Sequence, residues 1–188
     1  YRKDVVLARV IVARGYGKLR VQARSYNAAS VHTPFFLLTA LDRGVCAPAL
    51  VEDWLDGRPR EASFLFRVAV REVEAWLLAD QAGIAKLLGI EKVLVPTDVE
   101  GLPDPKRTLV DLARHSSLRD LRRGLVPAEG STAQVGPSYV RLVAEFAEKG
   151  WSPERARRRS ASLDAAIVAL ARLGGGRRAP RRKARASD

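Results

Sequence analysis

Where the most hydrophobic stretch of the chain ends, three carboxylates follow closely: Glu72, Glu74 and Asp80, within FLFRVAVREVEAWLLAD at residues 64–80. Neighbouring carboxylates can hold a hard cation or pass protons, and acids at the carboxyl end of a buried strand stand where open α/β sheets bind ligands. If 72–80 is helical, Glu72, Trp76 and Asp80 lie one above another; if it is extended, Glu72 and Glu74 share a face. Both geometries pair two carboxylates. A purely structural reading stands beside this one, in which the acids cap the positive end of a helix and face water.

Two further positions carry chemistry. Asp42 ends the apolar run FFLLTALD, and strand alternation turns Ala40 and Asp42 to one side, so a second acid at 40 would complete a metal-binding pair. Lys106 follows Asp104-Pro105, an N-cap and a first-turn proline. A cation there opposes the helix dipole, unless an anion binds to the helix end and the lysine together. The plain alternative is a lysine reaching into solvent.

The elements that must position these groups read as alternating strands and helices. Phe64–Val70 is a buried strand interrupted only by Arg67, and Phe35–Asp42 is a second. Residues 5–13 (VVLARVIVA) read as a helix end plus a short strand, or as one longer buried strand. Gly15-Tyr16-Gly17, with Lys18 and Arg20, is a basic turn able to cradle phosphate or simply a turn into a helix ending near Ala29. Helices are expected over Pro48–Leu55 with Asp56-Gly57 as the stop, from Pro105 to His115, over Tyr139–Lys149 and over Leu163–Leu173. Cys46 reads as a small packing residue, and His32 and His115 as structural, since neither has a metal-like partner spacing.

Composition bounds the class. With 188 residues and 47 % hydrophobic content the chain can build one core, so residues 1–175 are expected to form a single α/β domain. The net charge of +12 points to a polyanion, a phosphate-bearing substrate or an acidic protein surface. Residues 176–188 hold six basic groups and one acid, a tail expected to be disordered. One cysteine excludes an internal disulfide and a Cys-rich zinc site, which suits the cytoplasm. No run is long and apolar enough for a membrane span, no signal peptide is visible, and a homo-oligomer is left open. The absence of methionine, Tyr1 included, suggests that the native start is missing.

Four stretches, TALDRGVCAP, RVAVREVEAWLLAD, LPDPKRTLVDLARHS and VGPSYV, together resemble the bacterial family called domain of unknown function 4276, with REVEAWLLAD the most specific piece. That family looks like a variant of the Toprim fold of topoisomerases, primases and overcoming-lysogenization-defect nucleases. The resemblance implies a mostly parallel sheet flanked by helices, with a helical C-terminal part, and Mg²⁺- or Mn²⁺-dependent hydrolysis of nucleic-acid phosphodiesters. An ATPase partner in phage defence is implied for some such nucleases. Residue by residue, it implies metal ligands at Asp42, Glu72 and Glu74, catalytic roles for Glu72 and Lys106, and nucleic-acid contacts by Lys18, Arg20, Arg43 and Lys106. The chain departs from the Toprim pattern twice. No glutamate precedes Glu52, and the expected Asp-x-Asp pair reads Ala40-Leu41-Asp42, a degenerate ligand position. A non-catalytic Toprim-like subunit that binds nucleic acid or a partner protein is the competing reading.

Overall fold

The computed structural model describes residues 8–13, 15–42 and 46–175. At its centre two parallel strands, β1 (Phe35–Ala40) and β2 (Phe64–Ala69), pair in register from Phe35 opposite Phe64 to Ala40 opposite Ala69. The helix α1 (Tyr16–Ala29) precedes β1, and α2 (Ala47–Leu55) makes the crossover between the strands. Parallel strands need such a crossover, because no hairpin can join them.

Both strands read as almost continuously apolar because both faces of the pair are covered. Phe64, Phe66 and Val68 point toward α1 and α2, where Leu37, Leu50, Leu55 and Trp54 complete one core. The Trp54 indole N–H donates to the Tyr16 hydroxyl at 3.3 Å, and the two rings meet edge to face. On the opposite side Ala69 and Leu38 join a larger core built by the helices that follow β2.

Those helices are α3 (Val73–Leu78), α4 (Gln81–Leu88), α5 (Pro105–Arg114), α6 (Arg119–Leu125), α7 (Tyr139–Lys149), α8 (Pro153–Ala156) and α9 (Ala161–Gly175), with a 3₁₀ turn at Lys92–Leu94. α9 lies against β2 and is tied to α3 through one hydroxyl. Ser162 Oγ accepts from the Trp76 indole at 2.8 Å and donates to Glu100 Oε1 at 2.6 Å. Glu100 also accepts from the backbone N–H of Ser162, so its carboxylate caps the start of α9.

Three expectations need correction. Of the segment 5–13, residues 5–7 lie outside the described residues, while 8–13 form neither strand nor helix, and Val10, Ile11 and Val12 are exposed, because no described strand lies beside them to bury an apolar run. Cys46 is exposed at the start of α2 rather than packed. The segment 72–80 is not one helix. Asp80 is the N-cap of a new helix, α4, and its side chain accepts from the Gly83 N–H at 3.1 Å. An N-cap carboxylate bonds its own helix end, which turns it away from the stack with Glu72 and Trp76 that an unbroken helix would give. Among the described residues no helix is long and apolar enough to cross a membrane.

Candidate functional site

β2 ends at Ala69, and three residues later the chain places Glu72 as the extended N-cap residue of α3, with Glu74 in that helix's first turn. Facing them is the start of α5. Asp104 caps α5 by accepting from the Arg107 N–H at 2.7 Å, and Pro105 occupies the first helical position, as the pattern DPK predicts. This sets the next residue, Lys106, against α3. Its backbone N–H donates to Glu72 Oε2 at 2.9 Å. Its ammonium lies 3.7 Å from Glu72 Oε1 and 3.8 Å from Glu74 Oε1.

The anion expected at this helix end is therefore supplied by the chain itself. Glu72 serves α5 as a cap from another element, and the dipole cost of Lys106 is offset by two carboxylates. Lys106 thus lies against two carboxylates rather than reaching into solvent alone.

A fourth group completes the cluster. Tyr139, the first residue of α7, donates its hydroxyl to Glu74 Oε1 at 3.1 Å. It belongs to VGPSYV, one of the four stretches that carry the family resemblance, but residue type and spacing gave it no role. Its placement depends on the loop before α7. Gly136 N–H donates to the Leu125 carbonyl at 2.8 Å and Ser138 N–H to the Gly124 carbonyl at 2.9 Å, with Gly136 packed on the Gly124–Leu125 backbone.

The electrostatics follow from partial burial. The Glu72 and Glu74 side chains are 18 % and 14 % exposed, against 38 % for Lys106. Burial raises the Glu72 pKa above the ordinary value, an effect that the Lys106 N–H and ammonium partly offset and the charges of Glu74 and Asp104 reinforce. The Tyr139 phenol is pushed up strongly, first by burial and then by the charge and hydrogen bond of Glu74. Tyr139 is accordingly held in its protonated, donating form.

The remaining expected residues stand outside this cluster. Asp42 is exposed at φ 51°, past the end of β1, so strand alternation from Ala40 does not reach it. Its backbone is nonetheless held beside the cluster, since Asp42 N–H donates to the Arg71 carbonyl at 2.9 Å. Ala40 pairs with Ala69 at the last step of the ladder. Among the described residues no three His, Cys, Asp or Glu side chains come together as a group that could hold a metal ion. Lys18 is exposed on α1, and Arg20 pairs with Asp53 at 2.9 Å, away from the acids. Arg43 lies outside the described residues.

Asp80 has a structural role. It is fully buried and receives both Arg155 Nε and Nη2 at 2.7 Å, together with the Ser152 N–H at 2.8 Å. This fixes α8 against the start of α4. Burial opposes its charge, but Arg155 and the two backbone donors outweigh that and hold its carboxyl below the usual range.

No protein-family model, curated protein or solved structure matches the chain. The class that the geometry defines is an α/β domain with a parallel strand pair flanked by helices and an acid–lysine–tyrosine cluster at the carboxyl end of β2.

Proposed function

We propose that the chain is a Toprim-like, Mg²⁺- or Mn²⁺-dependent nuclease domain acting on nucleic-acid phosphodiesters, with its ligand set weakened at Ala40. The observation that carries this reading is the convergence of Glu72, Glu74 and Lys106, from two elements about 30 residues apart in sequence, at the carboxyl end of a parallel strand. The donor chemistry suits a hard cation. Two half-buried carboxylates already share one positive charge, that of Lys106, and divalent sites of this kind often use one or two carboxylates completed by substrate phosphate and water.

In this reading Glu72 and Glu74 would hold the metal, which supplies water activation and neutralises charge at the phosphate. Lys106, whose backbone remains fixed by its bond to Glu72, can then direct its ammonium to a phosphoryl oxygen. Tyr139 holds the Glu74 carboxylate in one orientation. Asp42, whose backbone is bonded at Arg71, would add a further ligand, and aspartate at position 40 would strengthen the set.

The second reading, a non-catalytic subunit that binds nucleic acid, is favoured by the contact of Lys106 with both glutamates, which offsets part of their charge. Cleavage of labelled single- and double-stranded DNA and RNA with Mg²⁺ or Mn²⁺ separates the two, with calorimetric Mn²⁺ binding as an activity-independent readout. The nuclease reading expects Mn²⁺ binding that Glu72→Gln weakens and cleavage that Ala40→Asp enhances. Salt-sensitive nucleic-acid binding without Mn²⁺ binding in either form would leave the binding subunit.

A further inference from the structure

Arg67 is the one charged residue inside β2, and no part of the acidic cluster uses it. Its side chain leaves the sheet on the face opposite Phe66 and Val68, toward α9. There Nε is buried and bonds no other group. A buried guanidinium nitrogen without an acceptor is costly, and such groups in native proteins call for a partner.

Two grooves meet at Arg67. One, of about 540 Å³, touches Phe66, Arg67 and Val68 in succession between α2 and α9, and Arg58 and Arg60 also line it. Consecutive strand residues face opposite sides, so this groove runs along the edge of β2 not paired with β1. The other, of about 640 Å³, lies where the strands begin, and Arg67, Arg172 and His32 line it with Ser63. Among the described residues, no carboxylate forms a salt bridge with Arg58, Arg60, Arg67 or Arg172. Among the described residues, Glu52 is the only acid lining either groove. Arg67 lines both grooves, with Arg60 beside it in the first and Arg172 in the second, and its guanidinium is held below its usual pKa by burial and then by the charges of these two arginines.

We infer that Arg60, Arg67 and Arg172 form a binding site for a phosphate group at the start of β2, at the opposite end of the strand from Glu72 and Lys106. A tetrahedral dianion offers acceptors to several guanidinium forks at once and removes their mutual repulsion. The partly buried Arg67 supplies the floor, and Arg60 and Arg172 the rim. The site is independent of the nuclease reading, because none of its residues touches the acidic cluster.

The test is thermal unfolding and calorimetry of the full chain with inorganic phosphate as the probe, at constant ionic strength set with chloride. Phosphate is expected to raise the midpoint of the native chain, and Arg67→Met and the rim pair Arg60→Gln/Arg172→Gln to weaken its binding by roughly tenfold or more. Arg67→Met removes a partly buried guanidinium whose Nε has no acceptor and so is expected to fold, while the rim pair changes only peripheral groups. The basic residues beyond 176 are common to all forms, so only the difference between forms counts. Competition with a single-stranded oligonucleotide distinguishes the sources. Displacement of phosphate that Arg67→Met abolishes assigns a nucleic-acid backbone, and undisturbed phosphate binding assigns a free phosphate or small phosphate ester. Equal phosphate response in all three forms, or none in the native chain, overturns the site.

Discussion

Lys106 meets Glu72 twice: its backbone N–H donates to Oε2 at 2.9 Å, and its ammonium stands 3.7 Å from Oε1 of the same carboxylate. The first contact is a helix cap supplied by another element, and the second is a partly exposed ion pair. They differ in worth. Glu72→Ala removes both and is expected to cost about 1–3 kcal/mol in urea unfolding. Lys106→Met leaves the cap and is expected to cost less than about 1 kcal/mol, because a half-exposed pair is screened. Equal losses would mean that the cap carries nothing.

Glu72 gives the cluster a pH dependence of definite sign. Its folded pKa is raised above the ordinary 4.5, so in the window just above that value the native state holds more protons than the unfolded chain. The Glu72 contribution to stability therefore falls as pH rises through that window. Lys106→Met deletes a charge that lowers this pKa and should move the carboxyl titration, followed by NMR, further upward.

Asp80 acts in the opposite sense. Its folded pKa lies below the ordinary 3.8, so its stabilisation is fully present above that value and is lost as pH falls through the folded pKa. Asp80→Ala also leaves the Gly83 and Ser152 N–H groups without their acceptor, and a loss of about 2–4 kcal/mol is expected. Comparing acid unfolding curves checks both points: the variant should lose part of the native acid-side slope.

Tyr139 should remain protonated through the alkaline range in which exposed tyrosines ionise. Absorbance titration of the folded protein should therefore have the same amplitude in the native chain and in Tyr139→Phe. The variant should nevertheless be about 1–2 kcal/mol less stable, having lost a hydrogen bond to a charged acceptor.

Gly136→Ala would press a methyl group into the Gly124–Leu125 backbone, where no flexible side chain can yield. The expected cost exceeds about 2 kcal/mol, with Tyr139 displaced from Glu74. Loss of the Tyr139–Glu74 hydrogen bond in the variant, seen by NMR, would connect this loop to the cluster.

The sequence itself determined the two strands and most of the helix boundaries. FFLLTA and FLFRVA are apolar on both faces because a parallel pair is covered on both, and DPK announces a capped helix by purely local chemistry. It also located Glu72, Glu74 and Lys106, since each lies at an element end that local pattern marks. Tertiary structure decided what those residues do to one another. The capping of α5 by Glu72, the bond from Tyr139 to Glu74 and the burial of Asp80 under Arg155 link residues 34, 65 and 75 positions apart. No local pattern encodes such distances. Asp80 shows the reason most plainly, for an acid that caps its own helix and pairs with a distant arginine reads, in sequence, like a third member of the cluster. The same holds for Arg67, where an arginine inside a buried strand is visible at once, but its neighbours come from the loop before β2 and from α9, which only packing brings together.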